Sequence, residues 1–307
     1  MNPTDQRSLV RSRALGALRI HALDAGLQKL DGGAMFGVVP KPLWERRIAA
    51  DERNRIPLAM RCLLVEHPDG LLLIETGLGN KESEKFMNIY GIENSAAAPD
   101  PGPDRLHESI RAAGFSPSDI TTVVNTHLHF DHAGGNTYRD EGGEVQLSFP
   151  NARYYVQRGE WEYAHGTNER TRASYFDYNF DPVQAAGQLH LLEGEAEVAP
   201  GVSVRLTPGH CPHHQSVIVE SEDEVACFMG DVIPTMHHLP LPWIMGYDVE
   251  PLRTLESKRS LLRRAIDERW LMISVHDAHT PWGYISEGEK GVLLHENASD
   301  LPGYGPA

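Results

Sequence analysis

The sequence contains few cysteines and no long apolar run. The three cysteines among 307 residues are Cys62, Cys211 and Cys227. An odd count in a chain of this length excludes a disulfide-dependent scaffold and favours a reducing, cytoplasmic location. No apolar run approaches the length of about 18 residues that a membrane-spanning helix requires. We therefore expect no membrane partner.

Basic residues are scarce relative to acidic ones. The chain has 28 Lys and Arg against 43 Asp and Glu, which is a net charge of −15 at pH 7 with histidine neutral. Proteins that bind phosphate backbones usually carry the opposite sign of charge. We therefore expect no nucleic-acid partner. No serine or cysteine lies in a recognisable nucleophile motif either.

The composition is otherwise that of a folded α/β protein, with 40% hydrophobic residues and an unusual number of histidines, 16. We find no internal repeat and no Pro/Gly/Ser-rich linker that would separate two units. We therefore expect a single domain over residues 1–307. Within it, residues 1–13 are predicted to be a flexible lead-in and residues 166–182 an insertion.

Short apolar runs separated by turns predict strands in both halves of the chain. They lie at residues 17–23, 60–66, 71–75, 121–125, 151–157, 189–192, 202–206, 216–220, 225–229 and 270–275, the last being the final strand. Helical spacing predicts helices at 103–113, 158–164 and 251–269, and the Gly- and Pro-rich residues 31–44 predict a loop. Two similar strand-rich halves predict two sheets packed face to face, with helices outside.

The strongest chemical signal is a cluster of imidazole and carboxylate groups that directly follows the strand at 121–125. It reads His127-X-His129-X-Asp131-His132. A loop that leaves a strand end can direct such side chains into one pocket, and imidazole with carboxylate suits zinc, iron, manganese or cobalt. A single histidine here would be a turn residue; the whole cluster predicts metal binding.

Three further strand ends carry one residue of the same kind. His210 follows the strand at 202–206, Asp231 follows 225–229, and His276 follows 270–275. Each of these alone is more often a turn residue. Their occurrence in this order after the first cluster is difficult to explain by turn preference.

Together these motifs resemble those of the metallo-β-lactamase superfamily. That resemblance spans nearly the whole chain and implies an α/β fold, an αββα sandwich of two mixed β-sheets with outer helices, with a dinuclear metal site between the sheets. It further implies that one metal is held by His127, His129 and His210. The second would be held by Asp131, His132 and His276, and Asp231 would bridge both.

Three neighbouring positions qualify this assignment. The Asp-Thr-Gly that is usual in the family after the second strand is Glu75-Thr76-Gly77 here, and that acidic residue normally supports the site from behind the ligands. His214 matches a second histidine of the family and is expected to form a supporting hydrogen bond. His279 competes with His276 for the last ligand position, and we prefer His276 because it is nearer the strand end.

Within the superfamily, the run at 127–135 resembles those of N-acyl homoserine lactonases and their organophosphate-hydrolysing relatives. The bacillus-type lactonases have a Tyr three residues after the bridging Asp, and this chain has Pro234 there. The candidates to replace it are His237, His238 and Tyr247.

The substrate pocket is expected to have an apolar wall. Phe36 and Trp44, in the Gly-rich stretch at 31–44, are the wall candidates there, and the Pro-rich stretch that contains His237 and His238 is either a packed loop or a further wall. An apolar rim would suit an acyl chain or an aromatic ester. The same stretch at 31–44 offers a contact for a homodimer.

The chemistry implied is metal-assisted hydrolysis by two divalent ions, zinc first, with Mn²⁺, Fe²⁺ or Co²⁺ as alternatives. A metal-bridging hydroxide would attack the electrophilic centre of a small-molecule lactone or ester, and Asp131 would act as the general acid or base. The first expectation is an N-acyl homoserine lactonase-like enzyme. The alternatives are a phosphotriesterase or an aryl esterase on the same site and, more remotely, a non-catalytic metal-binding protein.

Overall fold

The computed structural model describes residues 8–96, 103–289 and 291–303. Most strands of this part belong to two large mixed sheets. The strands are β1 (Val10–Leu15), β2 (Leu18–Asp31), β3 (Arg55–His67), β4 (Gly70–Ile74), β5 (Ile120–Val124), β6 (Thr137–Arg139), β7 (Val145–Leu147), β8 (Arg153–Gln157), β9 (Leu189–Leu192), β10 (Ala196–Ala199), β11 (Val202–Leu206), β12 (Gln215–Ser221), β13 (Glu224–Phe228), β14 (Leu271–Ile273), β15 (Trp282–Gly288) and β16 (Gly291–His295).

The helices lie mainly between strands of the first half and before the last strands of the second. They are α1 (Gly32–Phe36), α2 (Lys41–Trp44), α3 (Glu84–Tyr90), α4 (Arg105–Ala112), α5 (Phe130–Ala133), α6 (Arg158–His165), α7 (Asp181–Ala185) and α8 (Pro251–Asp267). In the described part of the chain, no helix is both long and apolar enough to cross a membrane.

The two halves of the chain form one sheet each. The first sheet has the order β1-β2-β3-β4-β5-β8-β9 and the second the order β10-β11-β12-β13-β14-β15-β16. In the first sheet β4 and β5 are parallel neighbours, and in the second β13 and β14 are. Parallel neighbours end at the same edge of a sheet, so each half contributes two strand ends to one edge.

Alternation along the strands creates three apolar layers. In β3, Leu63 and Val65 pack against second-sheet residues such as Val217, while the intervening Leu64 faces the other way. On that outer side of the first sheet lies α4, with Ile110. The outer side of the second sheet is covered by α8, through residues that include Leu261, Leu262 and Ala265. The predicted αββα sandwich is confirmed.

Most predicted elements are present within a few residues of their expected bounds, including the β3–β4 hairpin and the three helices. The prediction of a flexible lead-in is wrong for residues 10–13, because they form part of β1; residues 1–7 lie outside the described residues. As an edge strand, β1 pairs only with β2 and needs little apolar surface, so no apolar pattern marks it.

The prediction that 270–275 is the last strand is also wrong. Two strands follow it: β15 pairs antiparallel with β14, and β16 pairs with β15. The loop predicted at 31–44 contains two short helices instead. Asp31 accepts a hydrogen bond from the backbone N of Ala34 at 2.8 Å, which caps α1. At Gly32 any Cβ would lie 2.5 Å from the Trp44 ring, so the close packing of α1 and α2 requires glycine.

Candidate metal centre

Strand ends of both sheets meet at the edge between them. The histidine cluster begins three residues after β5, and Glu75 directly follows β4. Asp231 and His276 each follow their strand, β13 and β14, by three residues. Since parallel neighbours end together and the sheets pack face to face, tertiary structure brings groups from both halves of the sequence into one buried cluster.

The first donor set contains three histidines. His127, His129 and His210 each offer one nitrogen, and the three nitrogens lie within 4.8 Å of one another. Nε2 of His210 is 3.1 Å from Nδ1 of His129. Nε2 of His127 is buried and has no hydrogen-bond partner among the described residues. A buried nitrogen without a partner is rare in native proteins and points to a missing ligand.

The second donor set contains a carboxylate and two histidines, Asp131, His132 and His276, with donor atoms again within 4.8 Å. Nε2 of His276 is 3.2 Å from Nε2 of His132 and 3.5 Å from Oδ2 of Asp131. Oδ1 of Asp131 lies 3.7 Å from Nε2 of His132. His279 lies outside this set, and its backbone N donates to Oδ1 of Asp277.

Asp231 lies between the two sets. Its Oδ2 is 3.2 Å from Nε2 of His210 and 3.5 Å from Nε2 of His132. Its Oδ1 is 3.1 Å from Nε2 of His276. One oxygen therefore faces both sets and the other faces the second set, which is an arrangement that suits a bridging carboxylate.

The electrostatics of the cluster suit divalent cations. Burial, together with the neighbouring histidines, lowers the pKa of His127 and His129 well below the usual value, so both imidazoles are neutral. Against the effect of its own burial, the histidines His276, His132 and His210 hold the pKa of Asp231 well below its ordinary value. The carboxylates around them, Asp231 first, raise the pKa of His132 and His210 in spite of burial. Neutral imidazole and ionised carboxylate are the ligand forms of these side chains, so a bound cation would take the place of those protons. The residues present therefore fit a pair of metal ions.

Hydrogen bonds orient side chains of both donor sets. Nδ1 of His276 donates to the backbone oxygen of Ala59 at 2.7 Å, which leaves Nε2 free to face the cluster. Thr126 Oγ1 lies 2.9 Å from Nδ1 of His127 and leaves its Nε2 free in the same way.

Glu75 supports the cluster from behind. Its Oε1 accepts a hydrogen bond from the backbone N of Thr126 at 3.0 Å and lies 3.4 Å from Nδ1 of His132. Its backbone has φ +66°, an uncommon conformation for a residue other than glycine.

His214 has both ring nitrogens occupied by protein atoms. Nδ1 lies 2.8 Å from Oγ1 of Thr207, and Nε2 accepts from the backbone N of Asp231 at 3.0 Å. Burial lowers the pKa of His214 to about 3, so it stays neutral and can accept this bond. It holds the backbone of Asp231 in place.

A cleft of about 390 Å³ opens onto the cluster. His129, Asp131, His210, Asp231 and His276 form its polar floor, and its other walls are mostly apolar or aromatic, with Arg170 as their only cation among the described residues. The residues of these other walls are Leu30, Ala34, Met35, Tyr90, Phe130, Arg170, Thr171, Ala173, Ser174, Met245, Gly246, Tyr247 and Val249. Segment 166–182 therefore lines the cleft, which its sequence did not indicate.

Four predicted pocket residues do not line this cleft. Phe36 and Trp44 are buried in an apolar cluster behind Met35. His238 is fully buried, stacks on Phe36, and bonds Thr235 Oγ1 at 2.8 Å and the backbone oxygen of Met35 at 2.9 Å. His237 also lies outside the cleft. The pocket-wall prediction is wrong for Phe36 and Trp44, because α1 and α2 pack as a core. For the stretch with His237 and His238, the packed-loop alternative describes His238. Of the candidates to replace the lactonase Tyr, Tyr247 alone lines the cleft.

Sequence reasoning missed three buried polar residues that touch the cluster or its loops. Gln28, in β2, donates from Nε2 to Oδ2 of Asp131. Glu160, in α6, accepts from the backbone N of Leu128 at 3.0 Å through Oε1. Asp248 bonds His210 at 2.9 Å. No motif marks these residues, because each is isolated in the sequence and acquires its partner only through folding.

Comparison with known proteins gives consistent results. A sequence model described as the metallo-beta-lactamase superfamily matches residues 57–273. An N-acyl homoserine lactonase from Bacillus sp. is 31% identical over 169 residues, which is 54% of this chain. The alignment spans about 60% of the length of that relative.

Two solved structures cover almost the whole chain. A probable metal-dependent hydrolase from Staphylococcus aureus is 31% identical, with a TM-score of 0.83 over 94% of this chain and 100% of the other. AidC, described as a dizinc quorum-quenching lactonase, has a TM-score of 0.78 over 96% of this chain and 99% of its own, at 21% identity. At that identity the likeness to AidC shows the fold alone.

Proposed function

The chain belongs to the metallo-β-lactamase superfamily, and from this premise we propose that it is a dinuclear metal-dependent hydrolase that opens lactones or esters, as N-acyl homoserine lactonases do. The observation that carries the proposal is the position of Asp231 between two three-residue donor sets at the floor of an apolar cleft. The similarity to the lactonase from Bacillus sp. supports the choice of substrate.

The proposed ligands are those expected from the sequence: His127, His129 and His210 for one metal, Asp131, His132 and His276 for the other, and Asp231 for both. Imidazole nitrogen and carboxylate oxygen without thiolate suit Zn²⁺, and also Mn²⁺, Fe²⁺ or Co²⁺. We propose Zn²⁺ as the native ion. Three free, buried thiols are consistent with a cytoplasmic location.

Two divalent ions, when bound, lower the pKa of water towards about 7 and polarise a carbonyl oxygen. The protein supplies the proton transfer. Asp131 borders the cleft, and Gln28 donates to its Oδ2, which leaves Oδ1 to take a proton from water and return it to the leaving oxygen. His214 and the backbone oxygen of Ala59 keep Asp231 and His276 in position.

The walls of the cleft suit an uncharged ester with an acyl chain. Leu30, Met35 and Met245 offer apolar contacts. The Tyr247 phenol, which has no hydrogen-bond partner among the described residues, can donate to the substrate carbonyl in place of the tyrosine absent at Pro234.

A second candidate is hydrolysis of phosphotriesters or aryl esters at the same metals. The aromatic side chains of Tyr90, Phe130 and Tyr247 in the cleft favour it, because they can stack on an aromatic leaving group.

The test is a panel of acyl homoserine lactones, phosphotriesters and nitrophenyl esters, run with zinc, manganese and cobalt in turn. We expect lactones to give the highest kcat/KM. A higher kcat/KM for phosphotriesters or aryl esters would favour the second candidate. No hydrolysis by protein that retains two metals would reject both.

Asp231→Ala tests the bridging role. Mutation of a residue that supports a metal ligand from behind lowers activity by up to about 100-fold. Loss of a ligand that both metals share should lower kcat/KM by more than that. Circular dichroism should show the fold retained. Asp267→Ala, which removes an exposed carboxylate on α8, is the matched control. Full activity of Asp231→Ala would contradict the bridging role.

A further inference from the structure

Asp248 is a buried acid outside every motif of the sequence. It lies in the loop before α8 and is 4% exposed. Its Oδ1 lies 2.9 Å from Nδ1 of His210, and Oδ2 has no hydrogen-bond partner among the described residues. A buried carboxylate in this position must serve the histidine or be a cost to the fold.

The contact determines which nitrogen of His210 faces the cluster. With Nδ1–H donated to the carboxylate, the lone pair of the neutral ring is on Nε2. That nitrogen lies 3.1 Å from Nδ1 of His129 and 3.2 Å from Oδ2 of Asp231. Asp248 therefore orients the ring and holds the tautomer that can bind a metal.

We propose that Asp248 is a positioning residue for His210, and that it sets the affinity of one of the two metal sites, the one formed by His127, His129 and His210. The inference rests on the proposed function, because it presumes that the cluster binds metal. It concerns one site only, since Asp248 forms no hydrogen bond or ion pair with Asp131, His132 or His276 among the described residues.

The loop that carries Asp248 is fastened to the strand end that carries His210. The backbone N of Val249 donates to the oxygen of His210 at 3.1 Å, and that of Glu250 donates to the oxygen of Gly209 at 2.9 Å. These backbone bonds hold the two chain segments that carry the carboxylate and the imidazole side by side. Burial lowers the pKa of the Lys258 ammonium to about 7, and the attraction of Asp248 partly opposes this shift.

The chain offers a matched pair outside the cleft. Asp104 and His107 are also buried, and Oδ1 of Asp104 lies 2.7 Å from Nδ1 of His107. Oδ2 of Asp104 also has no hydrogen-bond partner among the described residues. This pair caps α4 and has no proposed ligand in it, so its removal reports how the loss of a buried Asp–His pair away from the cluster affects stability.

The experiment compares Asp248→Ala, Asp248→Asn and Asp104→Ala with the wild type, all as full-length protein. Zinc affinity is measured by competition with a chromophoric chelator, the cobalt-substituted forms by visible absorption, and stability by urea unfolding. For Asp248→Ala we expect one of two zinc ions to bind about 10–100-fold more weakly, with the other unchanged. The cobalt spectrum should lose intensity from one site.

Asp248→Asn should recover most of the affinity, because the amide oxygen still accepts from Nδ1–H in a side chain of the same shape. Asp104→Ala should lose stability and keep both zinc affinities. Unchanged zinc affinity in Asp248→Ala, or an equal loss in Asp104→Ala, would overturn the inference and leave the proposed function intact. A wild type that binds no zinc, manganese or cobalt would overturn both.

Discussion

Among single residues, Lys258 is a buried lysine whose pKa is strongly shifted. Its side chain is fully buried in α8, and Nζ donates to the backbone oxygens of Pro240 at 2.7 Å and Trp243 at 2.8 Å. Burial lowers its pKa from 10.5 to about 7. The neutral amine still has two N–H groups for these two oxygens, so the loop keeps its anchor at high pH.

This pKa predicts how stability depends on pH. Between about pH 7 and 10.5 the folded state binds fewer protons at Lys258 than the unfolded state does, so the free energy of unfolding rises with pH across that window. The wild-type value minus that of Lys258→Met should therefore increase from pH 7 to pH 9.5 in urea titrations. Lys85→Met, at an exposed lysine, should show no such trend. A difference that is independent of pH would contradict the prediction.

At the residue scale the sequence indicated the proposed ligands but not the residues that hold them in place. His127, His129 and His132 lie in one short motif, so their proximity is local and readable. Gln28 and Glu160 are separated from their partners by 103 and 32 residues, so only folding shows what they touch. Phe36 is an aromatic residue of the kind that often lines a pocket, but the packing of α1 on α2 buries its side chain in an apolar cluster.

At the scale of elements, segment 166–182 joins two loops that line the cleft. Its Arg170 donates to the backbone oxygens of Gly246 at 2.9 Å and Asp248 at 3.3 Å. The backbone oxygen of Ser174 accepts from the N of Phe130 at 2.9 Å. The segment thus connects the histidine loop to the loop with Tyr247, and both loops line the cleft.

Arg170→Ala should weaken substrate binding more than chemistry. Losing two hydrogen bonds of roughly 1 kcal/mol each frees the wall that holds Tyr247, so KM should rise about 3–10-fold with a smaller change in kcat. Arg170→Lys should show part of the effect. Arg172→Ala, at an exposed arginine of the same segment, should match the wild type. A fall in kcat at unchanged KM would argue against this role.

The two glycines that end the histidine motif, Gly134 and Gly135, lie where two elements approach each other closely. A Cβ at Gly135 would lie 2.0 Å from the backbone oxygen of Thr76, and one at Gly134 would lie 2.3 Å from that of Leu78. The sequence shows the glycines, but the reason for them is the loop after β4, which lies against α5. The space available there is decided by tertiary packing.

At the scale of the whole molecule, the proposed metals join the two halves of the chain. His127 and His129 come from the first sheet, whereas His210, Asp231 and His276 come from the second. Ligands from both sheets are brought together only in the folded state, so metal binding should stabilise that state by mass action.

Zinc should therefore raise the melting temperature. A free concentration of about 100 times Kd adds about 2.7 kcal/mol per site, which corresponds to several degrees in a domain of this size. Scanning calorimetry of protein before and after chelator treatment checks this. Asp231→Ala should show a much smaller difference. An identical melting temperature with and without zinc would mean that the cluster does not bind it in the folded state.

The sequence by itself determined the strands with strong apolar alternation, the sandwich class and the proposed ligands. These depend on local patterns, namely side chains that alternate along a strand and donors that follow its end. The sequence did not predict the edge strand β1 or the final pair β15–β16, because the pairing of these strands depends on their neighbours and not on their own apolar content.

Only the tertiary structure decided which isolated groups reach the cluster. His276 faces it while His279 does not, and Asp248 orients His210 although 38 residues separate them. Strand order brings distant chain segments to one edge, and loop packing then selects which side chains are buried behind the cleft and which line it. Neither is encoded within a short window of sequence, because both arise from contacts between segments far apart in the chain.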